Sequence, residues 1–239
     1  MRKVYAPFAY LFLTHFLMMG KAGAQMPPIS SIQRQDSLQQ ERMAFVGDRM
    51  ISVARLRHKV LTKALAAHSR AWKHARAGAW ELSAIEFRKA IAIDPEYSDA
   101  HGNLGAVCIF LNRMDESAVE LRRAIELDPY SSGHRANLAI VYTQLKRYSD
   151  AEKEAMAALA LDSSSVPAHY LIGVLLANKP AERENAIPHL QYAARFTEDG
   201  RQALAELYDL LGQPELAQEQ QRLLAKADAL RKEGSTHGR

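Results

Sequence analysis

The sequence predicts an all-α fold, a solenoid of stacked helix–turn–helix pairs, and three observations predict it. The first is a period. The stretch from Ala100 to Pro129 meets itself when shifted by about 34 residues in either direction, the length of a two-helix repeat. Backwards, Pro129 falls on Pro95, Ile125 on Ile91, Ala124 on Ala90 and Leu121 on Phe87. Forwards, Asn103 falls on Asn137, Leu104 on Leu138, Gly105 on Ala139, Ala124 on Ala158 and Asp128 on Asp162. The second is the placing of small residues. Helix axes approach to roughly 8–10 Å, and the short end of that range needs small facing side chains. Gly105 and Ala139 supply them on the first helix of a pair, and Ala90, Ala124 and Ala158 on the second. The third is the large apolar set, Leu104, Leu121, Leu127, Leu138, Tyr142, Tyr148 and Leu161, which is expected to fill the space between helices. A helix pair cannot bury its apolar face alone, so neighbouring pairs must stack.

Each element follows in order. Met1-Arg2-Lys3 is a short positive start, Val4 to Met19 is mostly apolar, and Ala22-Gly23-Ala24 offers a small-x-small cleavage site. Residues 1–24 therefore read as a secretory signal peptide cut after Ala24, with a retained membrane anchor as the alternative. The apolar run falls short of the roughly 20 residues a spanning helix needs. Residues 25–60 read as a partly ordered linker. In it Met26 to Ser31 is turn-rich, Asp36 to Arg49 could form a loose helix, and Ile51 to Leu56 alternates as an extended segment does. The repeats occupy residues 61–231. The first runs from Ala64 to Tyr97, with Trp72 on its first helix, Gly78 ending that helix and Trp80 opening the second. The next two run from Ser98 to Ser131 and from Ser132 to Ser165, and in the third Ser163 stands where the turn proline was. The fourth starts at Val166, gains one residue near Asn178-Lys179-Pro180, and carries Pro188. A proline is tolerated only near a helix start, so its second helix is expected to begin late, capped by Asn185. The fifth, from Glu198, keeps Leu204, Ala205, Tyr208, Gly212 and Ala217, and its last helix spans Pro214 to Arg231 with a polar outer side suited to a terminal unit. Residues 232–239 read as a disordered tail.

With these positions the chain resembles the tetratricopeptide repeat family. The motifs that carry the resemblance are His101-Gly102-Asn103-Leu104-Gly105-Ala106-Val107-Cys108, Glu116-Ser117-Ala118 and Arg123-Ala124-Ile125-Glu126-Leu127-Asp128-Pro129. The resemblance implies a right-handed superhelical solenoid of about five repeats. It also implies a non-enzymatic scaffold that binds a peptide or protein in a concave groove. Family members that hold extended peptides use asparagines on the first helix to bond the ligand backbone, which places Asn103 and Asn137 at the centre of the site. An amide both donates and accepts, so it can pair with a peptide group of any sequence. Bonding within the repeat itself is the competing role for both. Flanking groove positions would be Ala106, Ile109, Phe110, Ala136, Ile140, Thr143, Gln144, Tyr170 and Val174, mainly apolar with a few polar points. The family's clamp for chaperone carboxylates is not expected. His68 and Trp72 stand where its lysine and asparagine belong, and Gly133 and Asn137 where later cations belong.

Catalytic chemistry finds little support. The sequence holds no phosphate-cradling glycine loop, no H-E-x-x-H and no G-x-S-x-G. Cys108 is the only cysteine, which rules out an intrachain disulfide, and its position is that of a packed residue, so it reads as a structural thiol. His101, His134 and His169 recur near the start of three successive first helices. Metal ligands must converge to about 2 Å from one ion, while adjacent helices stand about 10 Å apart, so packing is the expected role. No metal or other cofactor is expected. The net charge of +4 owes three charges to Arg2, Lys3 and Lys21, which gives no support for a nucleic-acid partner. The expected partner is a protein or peptide, with no stable membrane span after signal cleavage, in a periplasmic or secreted location. The alternative is an accessory or regulatory subunit of an envelope assembly or of a polysaccharide or peptidoglycan enzyme, using the convex face or the ends.

Overall fold

A computed structural model describes residues 43–46, 49–52 and 58–236, with side chains over 58–227. The expected signal peptide over residues 1–24, most of the expected linker over residues 25–60 and the last three residues lie outside the described residues. Strands β1 (Met43–Val46) and β2 (Arg49–Ser52) pair antiparallel, with Met43 opposite Ser52 and Val46 opposite Arg49. The loose helix expected over Asp36 to Arg49 is thus replaced at its C-terminal end by a hairpin. Phe45, Val46 and Ile51 within the two segments favour a strand.

From there the chain is helical and falls into two compact units that divide after Ser163. The first unit holds three antiparallel pairs: α1 (Thr62–Arg76) with α2 (Trp80–Ile93), α3 (Ser98–Phe110) with α4 (Met114–Leu127), and α5 (Ser132–Gln144) with α6 (Tyr148–Leu161). Within this unit the second helix of one pair packs on the first helix of the next, α2 on α3 and α4 on α5. The second unit holds α7 (Val166–Ala177) with α8 (Arg183–Ala194), then α9 (Glu198–Leu210) with α10 (Pro214–Thr236).

The period is visible in the turns. Each short turn inside a pair of the first unit holds one residue with positive φ: Gly78 at 72°, Asn112 at 56° and Lys146 at 60°. Glycine and asparagine enter that region readily, lysine at some cost. Gly212, at φ 72°, repeats the device in the second unit. Between pairs, Asp94, Asp128 and Asp162 leave the helix with φ of −140°, −135° and −144°, and each N–H returns to Ala90, Ala124 or Ala158. The Ser163 replacement leaves this turn unchanged because aspartate, not proline, makes the exit.

Small residues set the closeness of each pair. A Cβ on Gly105 would stand 2.6 Å from Leu121 Cγ, and one on Gly173 would stand 2.6 Å from Leu190 Cγ. At the first crossing the Ser117 hydroxyl donates to Gly105 O over 2.7 Å, which satisfies a buried hydroxyl. Around it Ala71, Ala84, Phe87, Leu104, Val107 and Cys108 form one core cluster. Tyr148 differs from expectation: as the first residue of α6 it is exposed rather than core.

Two boundaries also differ. A 3-10 turn, Pro180–Glu182, leads straight into α8, which starts at Arg183 with Pro188 inside it, rather than late after an Asn185 cap. Proline forfeits one backbone hydrogen bond there. Full burial of Ala186, Leu190 and Ala193 on the neighbouring helices offsets that loss. Helix α10 runs on to Thr236, past Arg231, through Leu230, Arg231, Lys232 and Glu233, all good helix formers.

Candidate functional site

In the first unit the leading helices α1, α3 and α5 lie side by side, and the seams between them carry the candidate site. At the first seam, Asn103 of α3 donates from Nδ2 to His68 Nε2 of α1 over 2.9 Å. The His68 ring meets Phe87 edge-on at 5.3 Å, Trp72 at 6.4 Å and Tyr97 at 5.0 Å. Burial among these rings lowers the His68 pKa, with Asp99 opposing the shift. At the second seam no such bond forms. Asn137 of α5 is half-buried and its side chain makes no hydrogen bond among the described residues. The position one repeat after His68 is Gly102, and the His134 ring lies over it, so close that a Cβ on Gly102 would stand 2.2 Å from His134 Nε2.

The other predicted groove residues separate into classes. Ala106, Ile109, Ala136, Ile140 and Thr143 are buried on α3 and α5, with the Thr143 hydroxyl donating to Ala139 O at 2.9 Å. Phe110 is half-buried and stacked on Trp80 with centroids 4.4 Å apart, while Gln144 is exposed. Tyr170 and Val174 are buried in the second unit, on α7. Burial raises the Tyr170 hydroxyl well above its usual range, with Asp199 and Glu206 adding to it.

A recurring clasp inside the pairs was not read from the sequence. His101 Nδ1 meets Glu120 Oε2 at 2.6 Å, and its Nε2 meets Pro95 O at 3.1 Å. One repeat on, Arg135 donates to Glu154 at 2.8 Å and to Pro129 O. Glu86, one repeat earlier than Glu120, bonds Arg70 at 2.7 Å and Lys89. Those two cations hold its carboxyl below the usual range. In the second unit the clasp is His169 with His189, Nδ1 to Nδ1 at 3.0 Å, with Tyr192 stacked on His169 at 4.2 Å. So His101 and His169 share a place in the repeat with Arg135 between them, and His134 is one residue out of that register. The repeat of glutamates at 86, 120 and 154 was the signal that could have found this clasp.

Among the described residues no group of three His, Cys, Asp or Glu stands together to hold a metal, and no helix is long and apolar enough to cross a membrane. Cys108 is fully buried; burial first, and then Glu116, pushes its thiol up to about 12. A nucleophile needs the opposite shift.

The family model for the tetratricopeptide repeat matches residues 98–131. No curated protein matches the sequence. Among solved structures the chain is similar to TTC0263, a thermophilic TPR protein of Thermus thermophilus, with a TM-score of 0.59, 20% identity, and coverage of 68% of this chain and 90% of that one. It is also similar to MamA residues 41-end from Desulfovibrio magneticus RS-1, with a TM-score of 0.60, 16% identity, and coverage of 72% and 98%. At those identities the likeness is one of fold. The helix pairs, their turns and the match over 98–131 lead to one conclusion: this chain has the fold of tetratricopeptide-repeat proteins, and its α3–α4 pair matches the repeat itself.

Proposed function

We propose that the protein is a non-enzymatic scaffold whose leading-helix face holds an extended segment of a peptide or protein partner. The observation that carries this reading is the pair Asn103 and Asn137, at one position of the repeat on adjacent helices α3 and α5. Side-chain amides spaced at the repeat interval can bond successive backbone groups of a ligand whatever its side chains are. The stacked architecture favours the reading, since repeat solenoids present extended binding surfaces. Replacing both asparagines with alanine is expected to weaken a peptide bound by the wild-type protein about tenfold or more, as each lost bond contributes about 0.5–1.5 kcal/mol. Circular dichroism must stay at wild type, because lost helicity would assign the asparagines to the fold. Retained affinity would move binding off this face.

A second reading has one observation in its favour. Ile85 of α2 and Val119 of α4 are 44% and 54% exposed at one repeat position, flanked by the Glu81–Arg113 and Arg88–Glu116 ion pairs. An apolar strip with a charged rim on the trailing helices would suit an envelope-assembly contact. Substituting both with glutamate separates the readings, since only this one loses its partner. The proposal includes export to the periplasm or beyond through residues 1–24. N-terminal sequencing of exported protein should begin at Gln25; a retained Met1 would reject cleavage.

A further inference from the structure

The clasp of the second unit sets two imidazoles against each other, and both can donate an electron pair. His169 on α7 and His189 on α8 bring their Nδ1 atoms to 3.0 Å, with ring centroids 5.1 Å apart and planes 42° from parallel. Tyr192, stacked on His169 at 4.2 Å and bonded through its hydroxyl to Ser164 O at 3.3 Å, holds that ring in its plane. Both histidines are half-buried, so solutes from water reach them. Packing was expected for His169 because successive first helices stand about 10 Å apart. His189 lies instead on the trailing helix of the same pair, where the two rings already meet. Nitrogens about 2.0–2.1 Å from one ion stand about 2.9 Å apart at a right angle and about 3.4 Å apart at the tetrahedral angle. The separation in the structure falls between those two values.

We propose that His169 and His189 chelate one divalent transition-metal ion through their two Nδ1 atoms. Imidazole suits zinc, copper and nickel, which sets the class of ion. In the ion-free pair one Nδ1 carries the hydrogen and the other accepts it. On binding, that hydrogen passes through solvent to Nε2 of its own ring, both Nδ1 lone pairs go to the ion, and two of the ion's waters leave. No charge is lost from the neutral pair, and nothing is oxidised or reduced. Two protein ligands leave the other positions of the ion open to water or to a donor from another molecule. The ion then ties α7 to α8, as the ion pairs tie the helices of the first unit. This inference is independent of the peptide-scaffold reading.

The test uses the full chain freed of metal by chelation. Calorimetric titration with zinc(II), and separately with copper(II), at neutral pH should show one ion bound per chain at this pair. His169→Gln and His189→Gln should each weaken that binding by more than about 10–100-fold, the usual loss when only a ligand's supporting partner is removed. Glutamine keeps a hydrogen-bonding amide in the clasp, so circular dichroism should stay at wild type. His74→Gln, on α1 of the first unit, should bind as the wild type does. Nitrogen NMR of the wild-type protein needs no substitution: zinc should move the Nδ1 signals of His169 and His189 and leave the other histidines in place. The proposal is overturned if the wild type binds no more tightly than the double variant His169→Gln/His189→Gln, or if the zinc-dependent shifts fall on other histidines. Either result would leave the pair as a hydrogen bond alone.

Discussion

The clasp that joins the two helices of a pair is made of opposite charges in the first unit and of two imidazoles in the second. Arg135 with Glu154 and Arg70 with Glu86 are ion pairs, and His101 meets Glu120 at 2.6 Å. His169 with His189 takes the same place, yet it can hold together only while at least one ring is neutral, because two imidazolium groups at 3.0 Å would repel and neither could accept. One backbone position therefore carries two different chemistries, an ion pair in the first unit and an imidazole pair in the second. The scaffold sets where the contact falls, and residue identity sets which conditions keep it.

That comparison can be broken at three levels. The largest effect comes from the packing beneath the clasps. Gly105→Leu inserts a branched side chain where even a Cβ stands 2.6 Å from Leu121 Cγ. Overpacking of this kind costs about 1–3 kcal/mol or more, and the loss should reach neighbouring pairs, since each is held by its interfaces. A lowered urea midpoint with a broadened transition is expected; an unchanged midpoint would place Gly105 away from the helix crossing.

Next comes the removal of one ionic clasp. Arg135 and Glu154 are 22% and 18% exposed, so Glu154→Ala leaves a guanidinium mostly out of water with only Pro129 O to bond. A charged hydrogen bond contributes about 1.5–3 kcal/mol, with the low end expected here because both groups still touch solvent. Recovery of stability in Glu154→Gln, which keeps the acceptor, would separate hydrogen bonding from charge.

The smallest effect, and the sharpest contrast, is in pH. Burial first, then the neighbouring His169, lowers the His189 pKa below its usual value, and burial lowers that of His68. For a histidine with a depressed folded pKa, the unfolded chain binds protons first as pH falls. The contribution is therefore whole above about pH 6.5 and is lost as pH drops through the folded value. His189→Glu restores the charge pattern of the first unit and removes the imidazole whose folded pKa is depressed. Comparing thermal midpoints at about pH 8 and about pH 5 should show a smaller acid loss in the variant than in the wild type. An equal loss in both would remove the imidazole pair from the acid response.

Much of this could be read in advance, and particular residues show why. Helix pairs, their turns and their crossings follow from local chemistry: Gly78 can take positive φ, the aspartates at 94, 128 and 162 end helices, and Gly105 and Gly173 permit close contact. Such requirements recur at each turn of the period, so a shift of the sequence on itself reveals them. Pro188 misled, because a propensity rule carries no knowledge of the three buried residues around it. The hairpin at Met43–Val46 and Arg49–Ser52 was hidden for a similar reason, being too short for its alternation to stand out.

The sequence alone determined that this protein stacks helix pairs, where the pairs of the first unit turn, and that two asparagines share one position. Only the tertiary structure decided which of those asparagines bonds across a seam. The period aligns a residue with its counterpart one repeat away, but a hydrogen bond across a seam joins residues at different repeat positions, His68 to Asn103, and no self-alignment brings them together. The same holds for the clasps, where Glu120 faces His101 and Glu154 faces Arg135 across a pair. Periodicity is a property of one helix face at a time; pairing depends on which faces the packing brings within about 3 Å.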